Sequence, residues 1–361
     1  MNVIYFLKIT TGPVLNFLGI QVLYSSILFI FIFLLSALLR KKYSYIHLGL
    51  WTLLLIRLVL PPNLTSDISL GTVIHSLSGI GKIEYQPDVF EKDVITLTDG
   101  YSGPTEDLNQ NPSPAKTFFT ILLFCIWVAG ICVFLGLFSV RFNKYKKIVS
   151  NSEKIWSPQY LKLVDKWKKI LKITRPVHLI TSHLHISPFT TGLLKPVIYV
   201  PGILLESARV EHLEAVIAHE MAHIKRYDAL WIKCQNILQC IYFFHPAVWI
   251  ANKKINQARE FICDGRVLMT KSIAREEYGK GLLTILKINL PGTDCPALIP
   301  GFKSPHEIMK SRIKKIKGEK LMNKKNMFIS FIFIVFAGML LLPMAGRSEK
   351  NNSKVNQTQQ E

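Results

Sequence analysis

The sequence predicts a mainly α-helical membrane protein, with four apolar spans and a cytoplasmic α+β domain set before the last of them. Three observations predict it. Apolar residues make up 49% of the 361-residue chain and gather into long blocks, as membrane-crossing helices require. Lys and Arg outnumber Asp and Glu by 44 to 24 and cluster at the ends of those blocks. A long mixed stretch between the third and fourth blocks carries helix and strand periodicities of its own.

The first block, about residues 14–39, has no charged residue and is closed by Arg40-Lys41-Lys42. Only Lys8 precedes it and no small-residue cleavage site follows, so it reads as a retained span and not a signal peptide. The second block, about 45–60, ends at Pro61-Pro62 and completes a two-helix segment over residues 1–62. It is short and contains His47 and Arg57, and Arg57 is close enough to the end to snorkel. Residues 63–116 are polar, with eight acids against three bases, and read as an extracytoplasmic loop. The third span covers about 117–140, and Arg141, Lys144, Lys146 and Lys147 follow at once. The fourth covers about 327–343, and a polar tail fills 344–361.

Orientation follows from the bases, because cytoplasmic flanks carry the excess of Lys and Arg. The clusters at 40–42, 141–147 and 303–325 all fall on one side under simple alternation. That side is the cytoplasm, and the acidic loop lies outside. The net charge of +20 then suits an anionic bilayer surface. No zinc finger, RRM-like aromatic pattern or recognition helix accompanies it, so direct nucleic-acid binding is not expected. The six cysteines match neither a disulfide framework nor a Cys-rich metal site.

Within the cytoplasmic domain, 141–325, residues 158–171 read as a basic amphipathic helix. Residues 177–181 and 196–200 read as strands bounded by Pro176, Pro196 and Pro201. Residues 210–227 read as a helix. Residues 229–250 read as a buried or interfacial helical hairpin bent at Phe243-Phe244-His245-Pro246, and 255–271 as another helix.

The chemistry centres on His219-Glu220-Met221-Ala222-His223. On a helix, positions i and i+4 share a face, so both imidazoles can grip one ion. Glu220 then projects near the open position, where it can take a proton from the attacking water and return it to the leaving amine. Zinc is the metal this donor set suits. A third ligand is needed. The three-histidine pattern requires a glycine and a histidine where Arg226 and Ala229 stand, which excludes it. Glu260, in Arg259-Glu260-Phe261-Ile262-Cys263-Asp264, supplies a carboxylate instead, and Asp264, four residues on, shares its face. Asp264 is expected to accept a hydrogen bond from His219 and fix its tautomer. Tyr227 and Asp228 end the motif helix and are expected to cap or orient it; His245 and His212 are weaker candidates.

These residues resemble the BlaR/MecR-type antirepressor metallopeptidases of bacteria. The resemblance rests on the 219–223 motif, Phe244-His245-Pro246-Ala247-Val248-Trp249, Arg259-Glu260 through Cys263-Asp264, and the stretch from Ser187 to Pro201. It covers most of residues 1–346. It implies a gluzincin fold: one zinc ion held by His219, His223 and Glu260, and a cytoplasmic active site near the membrane. It also implies that Pro196, Val197, Ile198, Tyr199 and Val200 form an edge strand along which a peptide or protein substrate lies extended. Members sense an external signal and cleave themselves or a cytoplasmic transcriptional repressor. Sensor-bearing members continue into a penicillin-binding domain after the last span. Here about fifteen polar residues follow Gly346, too few to fold. Sensing is therefore expected through the 63–116 loop, the spans or a separate sensor protein. A self-cleavage site is expected within 289–304, rich in Pro and Gly. The competing expectations are an HtpX-like quality-control protease of the membrane and a non-catalytic transducer. The first is disfavoured by three spans before the motif, the second by an intact Glu220.

Overall fold

The structure is a computed structural model, described for residues 3–39, 44–61, 114–184, 186–287, 305–318 and 324–341. Nearly all of the expected outer loop, the expected self-cleavage segment and the tail lie outside the described residues.

Helices α1 (Val3–Leu38), α2 (Ser44–Val59), α3 (Pro114–Ser150) and α11 (Lys324–Leu341) carry the four apolar blocks. Two segments, Thr11–Leu38 of α1 and all of α3, are long and apolar enough to cross a membrane by length and composition; Ser44–Val59 and Ser330–Met339 are shorter apolar helices. Helix α3 does not stop at its last apolar residue. It runs on through Arg141–Lys147 to Ser150, since Lys and Arg are good helix formers and no Gly or Pro interrupts them.

The chain forms two compact units. One comprises Met1–Phe29, Ile56–Ala129 and Val335–Glu361. Within it, Arg57 is fully buried, donates to Gln21 Oε1 at 3.0 Å and lies over the Tyr24 ring. The sequence reading of Arg57 as a snorkelling residue is thereby corrected: a polar glutamine one helix away lets the guanidinium stay inside.

The other unit, Ile30–Leu55 and Gly130–Ile334, contains the α+β domain. Its elements are β1 (Glu153–Lys154), α4 (Pro158–Leu171), β2 (His178–Ser182), β3 (Phe189–Thr191), β4 (Val197–Pro201), α5 (Gly202–Ser207), α6 (Val210–Arg226), α7 (Asp228–Ile241), α8 (Pro246–Met269), α9 (Arg275–Lys287) and α10 (Pro305–Gly318). The four strands order as β1-β2-β4-β3. Strand β4 pairs parallel with β2, His178 opposite Val197, and antiparallel with β3, Phe189 opposite Tyr199. The edge-strand expectation for Pro196 to Val200 is therefore wrong. Pro196 precedes the strand, and Val197 to Tyr199 lie between two neighbours, with Ile198, Tyr199 and Val200 fully buried. Their continuous apolar character is that of an interior strand. The edges of the sheet are β1 and β3, the latter three residues long and partly exposed.

Helix α6 is the centre of the domain. Leu213 and the run Ala215 to Ala222 are buried, so the helix is covered on nearly all sides, as an apolar helix must be. Helix α4 packs on it through Val164, Trp167 and Leu171, spaced three to four residues apart on one face. The Trp167 indole donates to Glu214 at 3.0 Å. Helix α9 lies closer still. A Cβ at Gly281 would stand 2.5 Å from Ala215 Cβ and 2.8 Å from the His212 carbonyl oxygen, so only glycine permits this approach. Helix α8 closes a third side.

Candidate metal centre

The site is built from three segments around α6. Both motif histidines fall on one face of that helix, with His219 buried and His223 partly so. His219 Nε2 and His223 Nε2 are 3.1 Å apart. Helix α8 brings Glu260 to them: Oε2 lies 3.2 Å from His219 Nε2, and Oε1 lies 3.6 Å from His223 Nε2.

Each Nδ1 is engaged on the far side of its ring. His219 Nδ1 is 3.0 Å from Asp264 Oδ1, and His223 Nδ1 is 2.7 Å from Asp228 Oδ2. A carboxylate accepts only, so in the neutral imidazoles these contacts favour the hydrogen on Nδ1 and leave Nε2 to ligate. His219 Nδ1 also lies 3.0 Å from the Tyr278 hydroxyl, and Arg312 Nη2 lies 3.2 Å from both His219 nitrogens. Once His219 has released its Nε2 proton, two lone pairs and a carboxylate oxygen converge on one point, as the ligands of a shared cation do. Four donors at zinc–ligand distances of about 2.0–2.1 Å in a tetrahedron stand about 3.3–3.4 Å apart. The three separations bracket that value, so the residues fit a single divalent ion.

Local geometry explains Asp228. Helix α6 ends at Tyr227, whose φ of 58° is left-handed and whose N–H returns to the Ile224 carbonyl at 3.2 Å. Arg175 holds that end, its guanidinium 3.9 Å from the Tyr227 ring centroid and hydrogen-bonded to the Ile224 carbonyl. The reversal starts α7 at Asp228, directly beside His223.

Two further residues enter that sequence reading did not assign to the site. Tyr278 of α9 donates to Asp264 Oδ1 at 2.7 Å. Arg312 of α10 donates to Asp264 through Nε and Nη2, and its Nη1 lies 3.1 Å from Glu260 Oε2. Its segment reads in sequence as a basic membrane-facing cluster, and the helical spacing of Met309, Arg312, Ile313 and Ile316, which turn inward, was the signal that could have separated it.

Charges follow this arrangement. Burial works to raise the Glu260 and Asp264 carboxyls, yet the Arg312 charge and the hydrogen bonds with His219 hold both well below the usual carboxylate range. Burial and Arg312 work to lower His219, but the bonds and charges of Asp264 and Glu260 outweigh them and push it up to about 9. Both carboxylates are therefore ionised, the form in which Glu260 can ligate an ion. His223, Asp228 and Cys263 also converge, but burial raises the Cys263 thiol well above its ordinary value, and a neutral thiol is a poor ligand.

Glu220 is buried and faces a cavity of about 300 Å³ shared with His219, His223, Glu260, Arg312, and with Phe189 and Thr190 of β3. His212 bonds Thr284 at 3.0 Å and is not among the residues lining this cavity; nor is His245, buried at the start of α8.

A helix-borne histidine pair, a carboxylate from the next long helix and a second carboxylate in a shared cleft define the class: a candidate single-metal hydrolase. The BlaR1 peptidase M56 family model matches residues 16–316. The chain belongs to this family of metallopeptidases. It is 25% identical over 347 residues to the methicillin resistance mecR1 protein of Staphylococcus aureus, covering 91% of this chain and 56% of that protein. It is 30% identical over 192 residues to the regulatory protein BlaR1 of Bacillus licheniformis, covering 53% and 31% respectively. The chain thus spans about half the length of the first relative and a third of the second.

Proposed function

We propose that the chain is a membrane-bound, zinc-dependent endopeptidase of gluzincin type. Four apolar helices cross the bilayer, and residues 141–325 work at its cytoplasmic face. Its targets are itself, a cytoplasmic transcriptional repressor, or both, and its signal arrives through the 63–116 loop, the spans or a separate sensor protein. The names of its relatives, a methicillin resistance protein and a regulatory protein, support the signalling role.

The observation that carries the catalytic reading is the triangle of donor atoms at 3.1, 3.2 and 3.6 Å, with both Nδ1 atoms held by carboxylates. His219, His223 and Glu260 hold the ion; Asp264 and Asp228 keep the histidines in the ligating tautomer. Zinc, when bound, supplies Lewis acidity for the peptide carbonyl and the attacking water. Glu220 accepts a proton from that water as its oxygen bonds to the carbonyl carbon. It then delivers the proton to the amide nitrogen as the C–N bond breaks, which leaves a carboxylic acid and an amine. The substrate pairs with β3, not with β4, since β3 is a terminal strand of the sheet and, unlike β1 at the other end, shares the cavity with Glu220 through Phe189 and Thr190.

The test is fragmentation of the full-length protein, or cleavage of a co-expressed repressor, in membranes. Wild type is compared with Glu220→Ala and zinc is quantified in both. Cleavage by wild type alone, with zinc in both, supports the reading. Absence of zinc from both overturns the metal assignment. Equal fragmentation in both overturns Glu220 as the base.

A further inference from the structure

Helix α7 and the start of α8 pack along α3 in a way that measures depth. The Lys233 ammonium lies 5.9 Å from the Phe142 ring centroid, beside the basic end of α3. Ten residues further on, Phe243 stacks on Phe134 with centroids 5.4 Å apart, and its ring fills the notch left by Gly130, where a Cβ would stand 2.2 Å away. Trp249 of α8 meets the same Phe134 edge-on at 5.7 Å. The hairpin therefore runs antiparallel to α3, away from its basic end. At 1.5 Å per residue, Phe134 and Gly130 stand about 10 and 16 Å up the helix from Arg141.

Side-chain amides bond one another between the two helices of the hairpin, although the Gln235 Oε1 atom is buried without a hydrogen-bond partner among the described residues. Gln235 donates to Asn252 at 3.1 Å and Asn252 to Gln239 at 2.9 Å, which ties α7 to α8. At the turn, His245 N–H bonds the Tyr242 carbonyl at 2.9 Å and the Trp249 indole bonds the Phe243 carbonyl at 2.8 Å. Hydrocarbon tolerates irregular backbone only when it is paired in this way. Beyond Lys233, which is exposed beside the basic end of α3, the outward face carries exposed Ile237 and Phe244, and Trp231 is exposed near Lys233.

We propose that residues 228–250 form a re-entrant hairpin whose outward face is covered by lipid acyl chains in the inner leaflet beside α3. The inference rests on the membrane layout proposed above. Because the hairpin begins at Asp228, the partner of His223, it anchors the metal centre at the membrane surface.

Nitroxide labels at single cysteines test it, in full-length protein with the native cysteines replaced and reconstituted in phosphatidylcholine vesicles. The label sites are Phe244→Cys and Ile237→Cys on the hairpin, Val133→Cys on α3 and Glu153→Cys on β1. Collision with oxygen and with a water-soluble nickel chelate is measured. The expected result is lipid-like behaviour at 244 and 133, with oxygen collisions several-fold above nickel, a shallower value at 237, and the reverse at 153. A label at 244 open to nickel while 133 remains in lipid overturns the hairpin and leaves the spans intact. A label at 244 shielded from both reagents means protein covers this face, which also overturns the proposal. Nickel access at 133 overturns the membrane layout itself.

Discussion

Arg312 Nη2 lies 2.7 Å from Asp264 Oδ1 and Arg312 Nε lies 2.9 Å from Asp264 Oδ2, a bidentate pair between side chains 92% and 95% buried. The same guanidinium contacts Glu260. A helix beyond residue 304 therefore closes the candidate site, and its charge balances two carboxylates four residues apart on α8.

Removing one member of this pair leaves the other charged and buried. Arg312→Gln is expected to destabilise the α+β domain by about 3–5 kcal/mol, measured by denaturant unfolding in detergent. The double variant Arg312→Gln with Asp264→Asn should lose less than the two single losses added together. Strict additivity would show that the pair contributes nothing.

The histidine-orienting carboxylates have a separate signature. Asp228→Asn and Asp264→Asn are each expected to weaken metal affinity about 10–100-fold, read by competition with a chromogenic chelator. Unchanged affinity in both would remove their role in fixing the tautomers.

His219 makes metal binding pH-dependent. Its pKa of about 9 in the folded, metal-free protein exceeds its ordinary 6.5. It is therefore protonated at pH 7 and must release that proton to ligate an ion. Apparent affinity should rise about tenfold per pH unit between 6.5 and 8.5. Calorimetry in buffers of different ionisation enthalpy should find about one proton released at pH 7. The linkage to folding has a definite sign. A raised folded pKa adds stability to the metal-free protein that is fully present below pH 6.5 and lost as pH rises through about 9. Metal affinity independent of pH across this window would contradict the assignment.

Gly281 sets the distance between α9 and α6. Gly281→Ala places a methyl 2.5 Å from Ala215 Cβ, and overpacking of this kind costs about 1–3 kcal/mol. The displaced α9 carries Tyr278 away from Asp264, so metal affinity should fall with stability. A thermal midpoint equal to wild type would show that α9 yields without cost.

The sequence is most legible where its signal is local. The histidine pair and the Glu260–Asp264 pair are i,i+4 spacings, and a helix puts such residues on one face whatever surrounds it. Helix α4 falls on the residues its amphipathic pattern picked, 158–171, and the hairpin bends at Phe243 to Pro246.

Tertiary structure decided the rest, because the deciding contacts are distant in the chain. Whether β4 is an edge depends on β3 folding back onto it, and an apolar run reads alike in either position. Arg312 stands among lysines in a segment whose composition suggests a solvated or lipid-facing helix; only the docking of α10 on α8 and α9 buries it. Tyr278 carries no motif and reaches Asp264 because a glycine three residues later lets two helices nearly touch. The sequence by itself determined which titratable residues share a helix face, because i,i+4 spacing is local. The packing of those helices determined which charges meet there.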